Sequence, residues 1–283
     1  MRFSPYEPLG VEAAGNAGAS NEAFFEDVAR HARKAALDGA ILLVGARDPR
    51  SLALRRAQAA LRFDRLDSYW SHAALLVRWA VPALRSKGVE VSLDPERVIE
   101  QVPERNAVTA FELSRYADAD RYPNVALLCL SFTESAGAAA RRSTLLEAAV
   151  QPNRDRERYA FWDTLAAWAR YAYSPHASPN PLLEGVPMPS AALCESAYEA
   201  AGVNLTPGAT GNHCCPELLY ATGLHWSEGL KRTEGIEARI FSLIRDETGA
   251  PQPSLSTSLD GLLTEATPRP VEKAKRRRSS RRT

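Results

Sequence analysis

The chain has 283 residues, 45% of them hydrophobic and 24% charged, with a formal net charge of +1. That length holds one large domain or two modest ones with a full core, and the composition is that of a soluble globular protein rather than a fibrous or disordered one. From Pro268 onward eight Lys and Arg residues face the single acid Glu272, a tail of +7, so the remainder stands at −6 and gives no indication of nucleic-acid binding by the folded part.

The predicted elements start after a Gly-, Ala- and Pro-rich arm at residues 1–20. Asn21 reads as the cap of a helix carrying Phe24, Phe25, Val28, Ala32, Ala35 and Leu37 on one face, ended by Gly39. Ala40 to Gly45 is a short continuous apolar run between glycines, the mark of a central strand. Helical spacing returns over 49–63, and Tyr69-Trp70-Ser71-His72 leads into a strand from Ala73 to about Trp79. Two further strands are predicted at Arg97–Val102 and Ala107–Phe111, split by the polar turn Pro103–Asn106, and a fourth, central one at Asn124–Ser131 with Cys129 as a core residue. The second half reads as helices over about 134–149 and 156–173, a Pro/Ser/Asn-rich loop over 174–189, a helix after Ser190, and a short one opened by Pro216. Ile240–Ile244 is a last apolar segment, and Pro, Ser, Thr and then Lys/Arg fill 248–283, a tail with little to bury. One domain over 21–247 between an arm and a basic tail is the expected organisation.

Four cysteines, two of them adjacent at Cys214-Cys215, make no disulfide framework at this length, and no C-x-x-C pair suggests a zinc ribbon. His213-Cys214-Cys215 is one contiguous trio without further ligands, so no metal and no cofactor are expected. Residues 1–6 lack an apolar run of signal-peptide type, and no stretch approaches the roughly 18 apolar residues of a membrane span. The reading is a protein made and folded in the cytosol, with any work outside the cell requiring signal-peptide-independent export.

The chemistry is expected around Cys194. With Ser190 as N-cap, Leu193, Ala197, Tyr198 and Ala201 fall at helical spacing, and Gly202 stops the helix. Cys194 then lies in the first turn, where free N–H groups and the positive dipole end favour a thiolate. The plainer alternative is a small buried apolar residue. His72 at a strand start and Glu100, a charge interrupting Val98, Ile99 and Val102, are candidates for a base and the group orienting it. Facing side chains on adjacent antiparallel strands lie about 4.5–5.5 Å apart at Cβ, so a glutamate on one strand reaches a histidine on the next.

The run Ala40-Ile41-Leu42-Leu43, then Tyr69-Trp70-Ser71-His72-Ala73-Ala74-Leu75, Val98-Ile99-Glu100 and Leu193-Cys194-Glu195-Ser196-Ala197-Tyr198 resembles the circularly permuted papain-like hydrolases of the NlpC/P60 superfamily, in its YiiX/YaeF-like, C92-type amidase branch. The resemblance covers roughly residues 38–202. It implies an α+β fold with an antiparallel sheet packed against helices, and Cys194 as nucleophile, His72 as base and Glu100 as orienting group. The sequence departs from the branch in Gly39-Ala40-Ile41, where an acid usually follows glycine, and in Cys-Glu-Ser for Cys-Ser-Glu. The backbone N–H of Cys194 would supply the oxyanion contact, and Tyr69, Trp70 and Ser71 would wall the cleft. The implied activity is a cysteine amidase or peptidase working through a thioester, on substrates such as cell-wall peptides. The alternatives are a lipid acyl hydrolase or acyltransferase, its basic tail drawn to anionic lipid or an acidic partner, and a papain-like module kept for binding alone.

Overall fold

A computed structural model describes residues 20–32, 37–62, 64–91, 108–132, 137–150, 158–206, 213–229 and 236–245. Residues 1–19 of the N-terminal arm, the basic tail, the expected strand at 97–102 and its following turn lie outside the described residues.

The fold is α+β, a six-stranded antiparallel sheet with helices. Its strands are β1 (Ile41–Gly45), β2 (His72–Arg78), β3 (Lys87–Glu90), β4 (Thr109–Glu112), β5 (Asn124–Phe132) and β6 (Ile236–Leu243), in the order β4-β3-β2-β1-β5-β6. Every residue of β1 is buried, as its continuous apolar run requires of a strand covered on both faces. Its register sets Leu43 opposite Ala73 and Val44 opposite His72 on one side, and Val44 opposite Val125 on the other.

Alternation then sorts the side chains. Ile41, Leu43, Ala73, Leu75, Ala126 and Leu128 join one apolar cluster. That cluster takes in residues of five helices: α2 (Pro49–Gln58), α3 (Ala138–Val150), α4 (Arg158–Tyr173), α5 (Pro189–Ala200) and α6 (Pro216–Gly229). Leu42, Val44, Ala74, Leu76, Val125, Leu127 and Cys129 join a second cluster with Phe24, Phe25 and Val28 of α1 (Asn21–His31) and with Leu113 and Tyr116.

Three local devices hold this arrangement. Ser20, not Asn21, caps α1, its Oγ accepting from Ala23 N–H. Asn21 is instead fully buried, donating to the carbonyls of Tyr116 and Tyr122 at 2.9 and 2.8 Å and accepting from Arg245. Gly45 permits a close approach at the edge of β1, since a Cβ there would lie 1.9 Å from the Tyr69 carbonyl oxygen. At the start of α6, Gln58 reaches across, its Oε1 accepting from Glu217 N–H and its Nε2 donating to the Trp70 carbonyl.

The main departure from expectation is β3. Lys87-Gly88-Val89-Glu90 shows little strand signal, because Gly88 lacks a side chain and only Val89 is apolar. The sheet makes it a strand by tertiary means: the Phe111 ring of β4 occupies the space over Gly88, 2.3 Å from where a Cβ would stand. Among the described residues no helix is long and apolar enough to cross a membrane.

Candidate functional site

The site begins with the start of α5. Pro189 holds the first helical position, where its fixed φ suits the helix and its missing N–H costs nothing. Ser190 is therefore the second residue of the helix rather than its cap, and Cys194 is the sixth, two positions deeper than its place with Ser190 as the cap. This two-residue offset changes the chemistry. Cys194 is 0% exposed, packed in the core that unites α5 with the sheet, and its Sγ lies 3.5 Å from the Ser190 carbonyl oxygen. Burial pushes its thiol up, and the neighbouring Glu195 charge pushes it further the same way. The expected fall toward a thiolate is thus reversed, because a dry interior penalises the charged form and the helix N-terminus is too far along to offset it.

Ser190 occupies the place that was expected of the cysteine. It lines a cleft of about 200 Å³ together with His72 and Glu90. Its Oγ accepts from the backbone N–H of Ala73, next to His72, at 3.3 Å, leaving its own proton free to be given elsewhere. Ser190 N–H makes no hydrogen bond among the described residues and points from the first turn of α5, where such donors have no intrahelical partner.

His72 stands at the start of β2 as expected, with its side chain 21% exposed. Its carboxylate partner is Glu90, from β3: His72 Nε2 lies 3.1 Å from Glu90 Oε2. The register explains the meeting. β2 and β3 pair Leu75 with Val89 and Leu76 with Gly88, and one further step sets Glu90 beside Ala74, on the same face as His72 two residues away. Glu100, expected in this role, lies outside the described residues.

Glu90 is held from three sides. Besides the imidazole, Arg115 donates to Oε1 and Tyr116 donates its hydroxyl to Oε2. Burial by itself pushes this carboxyl up, but the His72 hydrogen bond and charge, the Arg115 charge and the Tyr116 hydroxyl together hold it down at about 2. Burial drives the Tyr116 phenol well above its ordinary value, aided by the Glu90 charge, so it stays a donor. An ionised Glu90 only accepts, which fixes the proton of a neutral His72 on Nε2 and leaves the Nδ1 lone pair available as a base.

Of the expected cleft walls, Ser71 lines the cleft and Tyr69 and Trp70 do not. Ser71 Oγ ties the start of β2 to β1, donating to the Val44 carbonyl and accepting from Ala46 N–H. Trp70 is fully buried against the Tyr220 ring on the helical side, and the half-buried Tyr69 lies under the Arg62 guanidinium. Their position in the chain ahead of His72 carries them toward α6, away from the opening. Cys129 is a core residue as expected, and Cys214 and Cys215 are buried as well. No group of three or more metal-ligating side chains occurs among the described residues.

Sequence reasoning missed Ser190 as a cleft residue and Glu90 altogether. A signal existed for the second: Glu90 sits between Val89 and Val91, the same charge-in-a-strand pattern that drew attention to Glu100. No family model matches the sequence, and neither does any curated protein.

Proposed function

We propose that the chain is an acyl hydrolase or acyltransferase of papain-like layout, in which Ser190 takes the nucleophile's place, His72 is the base and Glu90 orients it. The observation that carries this reading is the meeting, in one cleft, of a first-turn helix hydroxyl with an imidazole whose far nitrogen is tied to an ionised carboxylate. The layout agrees with the permuted papain-like resemblance in chain order, histidine strand first and nucleophile helix last, with Ser190 in place of Cys194.

In the proposed reaction Ser190 Oγ attacks the acyl carbonyl carbon while its proton passes to His72 Nδ1. The tetrahedral oxyanion is met by Ser190 N–H at the α5 start, a preorganised donor. Collapse breaks the bond to the leaving group, which takes the proton from His72, and an ester to Ser190 remains. Water or another acceptor, deprotonated by the same nitrogen, then releases the acyl group. Glu90 is not itself protonated; it stabilises the imidazolium. Amides, including wall peptides, and lipid esters both fit this chemistry.

The test is a fluorophosphonate probe applied to the native protein, followed by peptide mapping. The expected adduct is on Ser190 and disappears in Ser190→Ala and His72→Ala. An adduct or thioester on Cys194 instead would restore the cysteine mechanism, and a cleft that reacts with neither acyl nor phosphonyl donors would leave a binding module.

A further inference from the structure

The cleft carries more fixed positive charge than its chemistry requires. Arg115 is committed to Glu90. Arg50 and Arg121 also line the cleft, and among the described residues neither has a carboxylate within ion-pair distance. Asp48, the remaining acid of the lining, is occupied as the cap of α2, accepting from the N–H groups of Arg50 and Ser51 and from the Ser51 hydroxyl. Among the lining's arginines and carboxylates, three of the first against two of the second leave +1.

Both spare guanidinium groups are steadied by aromatic rings. The Arg121 guanidinium lies 5.2 Å from the Tyr122 ring centroid, and Arg50 lies 4.9 Å from that of Tyr173 while donating to its hydroxyl at 2.9 Å. A guanidinium held against a ring is preordered, keeps its remaining donors available and loses less freedom on binding an anion. Resting on the acyl-transfer reading above, we infer that the substrate of this cleft carries a carboxylate, bound by Arg50 and Arg121 while its acyl carbon lies at Ser190. A single carboxylate matches the +1 lining, whereas a dianionic phosphate would leave one charge uncompensated close to Glu90. The planar, bidentate fit of guanidinium to carboxylate favours the same class.

The experiment compares hydrolysis of the p-nitrophenyl monoester of glutaric acid with that of the neutral p-nitrophenyl butyrate by the full-length protein, Arg50→Met and Arg121→Met, at low and high salt. The expected result is a kcat/KM for the glutarate ester about tenfold above the butyrate ester, a preference that salt reduces. In each variant the glutarate ester is expected to lose about tenfold more than the butyrate ester. Equal or faster turnover of the butyrate ester, or equal losses on both, overturns the inference while leaving the hydrolase reading intact. If neither ester is turned over above the Ser190→Ala background, the hydrolase reading fails and binding decides alone. Calorimetric titration of Ser190→Ala with glutarate, with inorganic phosphate as the rival anion, then serves. Saturable glutarate binding that is lost in a Ser190→Ala, Arg121→Met double variant keeps the carboxylate site. Absent binding, or tighter binding of phosphate, removes it.

Discussion

Two carboxylates in this molecule, Glu90 buried and Glu217 largely so, have nearly the same inventory of partners and opposite behaviour. Glu90 meets an arginine, Arg115, and a hydroxyl, that of Tyr116; Glu217 meets Arg62 at 2.6 Å and the Ser68 hydroxyl at 2.7 Å. Yet Glu90 is held down at about 2, while burial pushes Glu217 above the ordinary range. The difference lies in the third partner. Glu90 adds an imidazole that faces a cleft, whereas the Arg62 charge at Glu217 is shared with Asp64, whose own charge repels Glu217. The Glu217 cluster pins α6 to the turn after α2 and opens on nothing reactive. A buried charge beside an arginine is therefore no mark of function by itself; an imidazole and an opening are what separate the two.

The largest expected effect breaks the comparison at the chemical end. Ser190→Ala and His72→Ala are each expected to lower turnover of an activated ester by at least about 10³-fold, and the double variant to lose little more, since the two share one transition state. On the proposed mechanism, Cys194→Ala is expected to keep turnover within about twofold, because burial seals the thiol in the core. Initial-rate kinetics on the three proteins decide the matter, and loss of activity in Cys194→Ala alone would return the nucleophile to that residue.

Next comes stability at the other carboxylate. Arg62→Met leaves the largely buried Glu217 without its arginine and is expected to cost about 1–3 kcal/mol in urea unfolding. Activity per folded molecule should persist, whereas Arg115→Met should lower activity as well, because it loosens the carboxylate proposed to orient His72. Equal activity losses in the two variants would dissolve the distinction between the two carboxylates.

The pH dependence sharpens the same contrast, since the two glutamates pull in opposite directions. A folded value held down at about 2 means that Glu90 stabilises the fold above its unfolded value of about 4.3, and that this share is lost as pH falls from there toward 2. Glu217, pushed up, binds its proton more tightly when folded, so its share of stability falls as pH rises past the same unfolded value. Glu90→Gln is accordingly expected to flatten the acid limb of unfolding free energy against pH, and Glu217→Gln to remove a decline on the rising side. Unfolding titrations between pH 2 and 7 report both slopes, and slopes of the same sign would contradict the assignment.

The smallest effect is on the thiols. All four cysteines are buried, and burial raises Cys129 and Cys215 to about 12. Limiting iodoacetamide is expected to label none of them until the protein is unfolded. Rapid labelling of Cys194 in the native state would show a cleft that reaches one turn deeper along α5.

Much of the architecture is written locally. The apolar runs at Ile41–Gly45 and Asn124–Phe132 had to be central strands because both faces of each are apolar, and Pro216 opens α6 by its fixed φ. His72 follows from the strand that it begins. What the sequence could not settle is which of two residues one helical turn apart faces the cleft. Ser190 and Cys194 lie on the same stripe of α5, four positions apart, and only the packing of that helix against β2 puts the first at the opening and the second in the core. The meeting of Glu90 with His72 has the same character, and nothing in Glu90's own segment sets it apart from Glu100. Each is a charge among valines, and residues that meet across a sheet are fixed by strand register, a relation between segments that neither segment carries alone.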